Sequence, residues 1–188
     1  MTDPILIEFP YQFETERLLI RGPLPGDGKA IHEAVLETID ELRPWMPWAM
    51  NVLDEIGYEK RVREGRLRFL AREDLWMFLF LKESNTLIGS SGLHRINWEV
   101  PRFEIGYWVR NSFARQGYIT EAVNGISDFA FNVLGAKRVE IRCDKLNERS
   151  AAVARRAGFE HEATLRKDDR NHLTGALRDT LIFAKFHP

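Results

Sequence analysis

The segment Tyr107 to Ala122, reading YWVRNSFARQGYITEA, has the residue types of an anion cradle: a strand end, a polar turn, then a glycine opening an amphipathic run. A helix that starts there offers backbone N–H groups with no intrahelical acceptor and the positive end of its dipole, so it can hold a phosphate without any cationic side chain. Gly117 permits close backbone approach, Thr120 adds a hydroxyl, Glu121 suits the first helical turn, and Arg115 can pair with a phosphate from outside. On pattern alone the same residues also make an ordinary strand-to-helix connection. Downstream, Asn147-Glu148-Arg149-Ser150 precedes Ala151 to Ala157 and Gly158-Phe159. Asn147 lies just past a strand end and Ser150 about one turn into the next helix. Both polar groups can therefore project into one space beside the strand terminus, or serve only as helix caps.

Other chemistries are excluded by what the sequence lacks. Gly26-Asp27-Gly28-Lys29-Ala30 is not a phosphate-binding P-loop, because the first glycine at the required offset and the Ser/Thr after the lysine are missing. No dinucleotide fingerprint, HExxH or GxSxG element occurs, and no Cys/His cluster has zinc-ligand spacing, so no metal site is expected. The single cysteine, Cys143, cannot make an internal disulfide, which points to a reducing, cytoplasmic setting. The 27 Lys+Arg against 28 Asp+Glu leave a formal charge of -1, which argues against nucleic acid or an anionic membrane as partner. The N-terminal stretch to Tyr11 lacks a signal-peptide pattern, and the most apolar run, Leu75 to Leu81, is far short of the roughly 20 residues a membrane span needs. With 188 residues, 44% hydrophobic, the chain 1–188 is expected to form one domain with one main core.

The elements that must position these residues follow from periodicity. Phe13 to Arg21 reads as a strand, broken by Gly22-Pro23-Leu24-Pro25-Gly26, after which Asp27 is expected to cap a helix with Ile31, Ala34, Val35, Thr38, Ile39 and Leu42 on one face. Residues 43–50, with two prolines and two tryptophans, read as an irregular aromatic loop, and a second helix covers about Asp54 to Arg72. Trp76–Lys82, Thr86–Ile96 and Arg102–Arg110 read as an antiparallel meander. A strong helical period runs from Gly117 to Leu134 with Gly135 as its stop. Arg138–Asp144 alternates as a strand, a helix ends before Gly158, and Phe159–Arg166 with Leu177–Phe186 reads as a closing strand pair. The mixture predicts an α/β or α+β sheet domain rather than a pure parallel alternation.

Taken together, Thr15-Glu16-Arg17-Leu18-Leu19-Ile20-Arg21, Glu104-Ile105-Gly106-Tyr107-Trp108-Val109, Gly117-Tyr118-Ile119-Thr120-Glu121-Ala122, Asn147, Ser150 and Ala157-Gly158-Phe159 resemble the Gcn5-related N-acetyltransferases. Within that superfamily they are similar to the RimJ/RimL-like ribosomal-protein group. The resemblance covers about residue 13 to residue 186 in the right order. It implies the acyl-CoA N-acyltransferase fold, a mixed, mostly antiparallel sheet flanked by helices and splayed between the strands at 102–110 and 138–144, with acetyl-CoA in the splay. Pantetheine is then expected along the backbone of Trp108, Val109 and Arg110. The pyrophosphate is expected on the amides of Arg115, Gln116, Gly117, Tyr118, Ile119 and Thr120, and Asn147 beside the cofactor. Ala114 and Ile119 depart from the family's usual loop residues, which affects side-chain arguments more than backbone ones.

The chemistry implied is direct attack of an acceptor amine on the thioester, which needs a neutral amine, donors for an oxyanion and a proton for the leaving thiolate. The tyrosine that many relatives use as proton donor is replaced by Ala154, and Ser150, one turn earlier, is the implied substitute. The family's base in the C-terminal hairpin falls near Asn171, with Asp168 and Asp169 beside it, and Glu104 is a second base candidate. The acceptor pocket is expected at the aromatic loop, with Trp45 and Trp48, and at His94. An α-amine, titrating near about 8, needs a weaker base than a lysine amine at about 10.4, so the lack of an assigned strong base leans toward α-amine acceptors, and the resemblance implies the N-terminus of a protein. A small-molecule amine acceptor and a non-catalytic acyl-CoA sensor are the rival readings, and a homodimer is compatible with the group.

Overall fold

The structure, a computed structural model, describes residues 3–187; the expected domain 1–188 includes residues 1, 2 and 188, which lie outside the described residues. Phe13 to Arg21 is not one strand. It folds into β1 (Gln12–Glu14) and β2 (Leu18–Arg21), paired antiparallel around Thr15-Glu16-Arg17. Thr15 closes this turn twice, its amide donating to the Leu18 carbonyl at 2.9 Å and its Oγ1 accepting from the Leu18 amide at 3.2 Å. The local hydroxyl-to-backbone bond offers the chain a turn where apolar patterning alone suggested continuation.

Helix α1 (Gly28–Leu42) buries Ile31, Ala34, Val35, Thr38 and Leu42, the face its periodicity predicts. The expected cap at Asp27 is not formed. Its carboxylate binds Arg21 at 2.7 and 2.6 Å instead, and the amides of Gly26 and Gly28 donate to Glu59 of helix α2 (Glu55–Leu70). A carboxylate from the neighbouring helix thus satisfies the Gly28 amide, one of the orphan donors of the first turn. Helix α2 has a cap of its own, Asp54, which accepts from the Gly57 amide at 2.7 Å.

The remaining elements are β3 (Leu75–Leu81), β4 (Leu87–Asn97), β5 (Arg102–Val109), α3 (Tyr118–Asn132), β6 (Arg138–Asp144), α4 (Glu148–Arg156), β7 (Glu160–Arg170) and β8 (Leu177–Phe186). One sheet runs β1-β2-β3-β4-β5-β6-β8-β7, antiparallel at every pairing except β5 with β6. Helices cover both faces. Leu75, Met77, Leu79, Phe103 and Ile105 pack with Ile126 and Phe129 of α3, whereas Phe78 and Phe80 pack with Ile31, Val35, Tyr58 and Val62 of α1 and α2. Burial on two sides explains why Leu75 to Leu81 is continuously apolar rather than alternating. Among the described residues, no helix is long and apolar enough to cross a membrane.

The parallel pair is short. β5 and β6 are in register only from Arg102 with Arg138 to Glu104 with Glu140; beyond Glu104 the two strands part. This is the splay expected between 102–110 and 138–144, and it leaves backbone groups of both strands without a strand partner.

Candidate active site

The turn after β5 is held from two sides. From α1, Thr38 Oγ1 accepts from the Asn111 amide at 3.0 Å, and Glu37 accepts from the Ser112 amide at 2.8 Å and from the Arg110 guanidinium. From the β1–β2 turn, Arg17 reaches the Gln116 carbonyl at 3.1 Å, binds Glu121 at 2.7 Å and lies over the Tyr118 ring. Glu121 also accepts from Thr15 Oγ1 at 2.6 Å and from the Arg17 amide at 2.7 Å, and these partners hold its carboxyl below the usual range against the cost of burial. The Thr15-Glu16-Arg17 motif is therefore a buttress for the start of α3. Gly117 has φ +84° and ends the turn in the left-handed region. Among the described residues, the amides of Arg115 to Thr120 have no acceptor in the protein, which leaves an open anion cradle at the helix start. The Arg115 side chain is exposed and Gln116 folds back to the Ser112 carbonyl.

Of the strand residues expected along a cofactor, Arg110 gives its amide to Ile88 of β4 and its guanidinium to Glu37. Alternation along an antiparallel ladder then turns the backbone of Trp108 toward β4 and that of Val109 and Tyr107 toward the splay. Of the residues expected along the pantetheine, Trp108 and Arg110 thus turn their backbone groups to β4, and Val109, together with Tyr107, turns them to the splay.

A cavity of about 580 Å³ occupies the splay, lined by Ile105, Tyr107, Ile141, Cys143, Asn147 and Ser150, with Glu104, Trp45 and Thr180 at its edges. Asn147 caps α4, its side chain accepting from the Ser150 amide at 3.1 Å. The Tyr107 hydroxyl donates to the Ser150 carbonyl at 2.9 Å and lies 3.0 Å from Ser150 Oγ, and burial pushes its phenol well up, so it stays neutral. The Cys143 thiol is also raised by burial and neighbours Ser150. Ala154 is fully buried, so no tyrosine equivalent faces the cavity from that position. Burial raises the Glu104 carboxyl as well, opposed by Arg95 at 3.5 Å.

The hairpin carboxylates Asp168 and Asp169 also line this cavity, each paired there with an arginine. Asp168 pairs with Arg142 at 3.1 Å and Asp169 with Arg178 at 2.5 Å, while Asn171 sits at the hairpin tip and accepts from the Leu173 and Thr174 amides. Arg178 holds Asp169 below the usual carboxylate range, which ill suits it to take a proton near neutral pH.

A second cavity of about 540 Å³ lies over β4 and β5 on the α1/α2 side, lined by Trp48, Trp76, Trp108, Arg61, Arg68, Asp74 and His94. It shares Met46, Gly106 and Tyr107 with the first. The aromatic loop is thus divided between the two chambers, Trp45 at the splay and Trp48 beside Trp108 in the other, with ring centroids 6.2 Å apart. The loop includes a short 3-10 turn, Pro47–Met50. The basic run of α2 is mostly a solvated face, with Lys60 near Glu64 and Arg63 on Glu59, but Arg61 and Arg68 turn to the chamber and Arg72 is buried on the Ile7, Phe69 and Leu70 carbonyls. Tyr107, Cys143, Asp74 and Arg17 carried no site role in the sequence reading. Strand alternation at Tyr107 was the signal at hand, whereas Asp74 depends on how the end of α2 meets β4.

Comparison with known proteins matches residues 17–160 to the model of the acetyltransferase (GNAT) domain. The chain is 28% identical over 171 residues to the ribosomal-protein-serine acetyltransferase of Escherichia coli (strain K12), covering 91% of this chain and 93% of that protein. It is 27% identical over 176 residues to the N-acetyltransferase YoaA of Bacillus subtilis (strain 168), covering 93% and 96%. Among solved structures, a RimL ribosomal alpha-N-protein acetyltransferase in complex with coenzyme A has a similar fold, with TM-score 0.84, 23% identity, and 92% and 95% of the two chains covered.

Proposed function

Because the chain belongs to the acetyltransferase (GNAT) family, and is on that account an acetyl-CoA-dependent N-acetyltransferase, we propose that its acceptor is the N-terminal α-amine of a protein, attacked directly in a ternary complex. The observation that carries the reading is the splay of β5 from β6 beyond Glu104, with an unpaired amide run beside it and an aromatic chamber opening from it. Bound acetyl-CoA supplies an acetyl group activated as a thioester. The amides of Arg115 to Thr120 would hold its pyrophosphate, and the backbone of Tyr107 and Val109 its pantetheine. Ser150, kept in place by the Asn147 cap and the Tyr107 hydroxyl, would give its proton toward the sulfur. Glu104, at the edge of the splay, would attract the acceptor's ammonium. The aromatic loop would exclude water from both chambers.

The relative named as a ribosomal-protein-serine acetyltransferase supports a protein acceptor. The test is thiol release from acetyl-CoA over N-terminal peptides, polyamines, free amino acids and aminoglycosides, against a blank without acceptor. Release with a serine-initiated peptide and little with free amines is the expected outcome. Release only with free amines would move the acceptor to a small molecule, and none with any acceptor, in protein that binds acetyl-CoA, would favour a sensor.

A further inference from the structure

His94 occupies an unusual place on the sheet. Gly92 and Gly106 face each other across β4 and β5, and a Cβ on either would press on the imidazole, at 3.2 Å from Cε1 and 3.2 Å from Cδ2 respectively. The ring lies beside both glycines, and a Cβ at Gly92 would also meet the Leu75 carbonyl at 2.5 Å. Nδ1 is 2.9 Å from Asp74 Oδ2, which accepts its proton and so leaves the Nε2 lone pair free. Nε2 has no hydrogen-bond partner among the described residues, and it lies 3.4 Å from the Cβ position of Gly106, which with Tyr107 of the same strand lines both chambers. A carboxylate that fixes one ring nitrogen, with the other unpartnered in the α1/α2-side cavity beside a glycine that both cavities share, is the geometry of an oriented base.

We propose that His94 is the general base for the acceptor amine and that Asp74 is its positioning residue, an assignment that rests on the acetyl-transfer reading above. In the step, an N–H bond of the acceptor's ammonium breaks, its proton moves to Nε2, and the electron pair stays on the amine nitrogen as the attacking lone pair. Nothing is oxidised or reduced. The imidazolium is held by Asp74 through Nδ1 and returns its proton to water after product leaves. The charged groups around the ring are Asp74 from the segment before β3, Arg61, Glu64 and Arg68 from α2, Glu104 from β5 opposite it, and Arg95 beside it on β4. Arg68, 3.8 Å from Asp74, steadies that carboxylate from the other side. Imidazole is the side chain that changes charge near neutral pH, which fits removal of a proton from an α-amine better than from a lysine.

The experiment compares the parent enzyme with His94→Gln, His94→Ala and Asp74→Asn, using the best acceptor of the panel above. Three readouts are the pH profile of kcat/KM, acetyl-CoA affinity by calorimetry, and the nitrogen NMR signals of the His94 ring, which report the nitrogen that carries the proton. His94→Gln is expected to lower kcat/KM by about 100-fold and to remove the acidic limb of the profile, with acetyl-CoA affinity unchanged. Added imidazole is expected to restore part of the His94→Ala rate. Asp74→Asn is expected to lower the rate less and to change the ring's nitrogen signals from the parent's Nδ1-protonated pattern, because the carboxylate that fixes this tautomer is gone. A His94→Gln enzyme within about threefold of the parent, or one that keeps its acidic limb, overturns the assignment. Ring nitrogen signals unchanged in Asp74→Asn overturn the pairing even if every acceptor fails, which separates this inference from failure of the acetyl-transfer reading itself.

Discussion

Ser150 shows how much a single polar residue depends on its neighbours. Its amide is used by Asn147, its carbonyl by Tyr107, and its hydroxyl is left between Tyr107 and the cavity. Ser150→Ala is expected to reduce turnover by about tenfold or more while acetyl-CoA affinity is kept; a rate within about twofold of the parent in single-turnover assays would remove the proton-donor role. Tyr107→Phe takes the donor from the buried Ser150 carbonyl, a loss of about 1 kcal/mol, so calorimetric melting should shift down by about 2–4 °C. The place of Ser150 beside the splay, and its candidacy as proton donor, were legible from the sequence through the family pattern and the alanine at position 154. The role of Tyr107 was not, because a strand tyrosine belongs to a core or to a site according to what the next strand does, and here that strand departs.

At the scale of elements, the cradle is made by the β1–β2 turn, α1 and the start of α3 together. Gly117 at φ +84° cannot be replaced by a β-branched residue without strain, although a Cβ there would meet only the Arg17 guanidinium at 3.4 Å. Gly117→Val is expected to weaken acetyl-CoA binding by about tenfold or more through the altered turn, measured by calorimetry with the fold checked by circular dichroism; unchanged affinity would exclude the turn as phosphate cradle. Glu121→Gln keeps the size of the side chain but removes the ion pair with Arg17, so a smaller loss of the same affinity is expected, accompanied by weaker salt dependence. The sequence displays Thr15-Glu16-Arg17 and Glu121 as separate motifs 104 residues apart at Arg17 and Glu121. Their union is a tertiary event, since a carboxylate in a first helical turn is electrostatically reasonable whether or not an arginine arrives from elsewhere.

For the whole molecule, acid sensitivity follows from carboxylates that folding makes more acidic. Glu37 and Glu121 both lie below the usual glutamate value of 4.5, held there by hydrogen bonds from Ser112 and Arg110 and from Thr15 and Arg17. The unfolded chain therefore binds protons first on acidification, and the stability these groups contribute is present above about pH 4.5 and is lost as pH falls through their folded values. Glu104 has the opposite sign, because burial raises its carboxyl and favours the protonated form in the folded state. Melting temperature is expected to fall between about pH 5 and pH 3, and Glu121→Gln should flatten part of that slope; an unchanged slope would mean the clamp is not linked to folding. Composition and periodicity by themselves determined the class of fold, the helices α1 to α4, the β3–β5 meander and the closing hairpin, because apolar spacing and turn residues act within a few positions of one another, and the family was legible only through the resemblance of the motifs. Only the tertiary structure decided that Asp27 binds Arg21 while Glu59 caps α1, that the aromatic loop serves two chambers, and that Asp74 reaches His94 over a glycine pair. Each of those pairings joins residues from different elements, and a polar side chain with several partners within reach takes the one that sheet register and helix packing bring close.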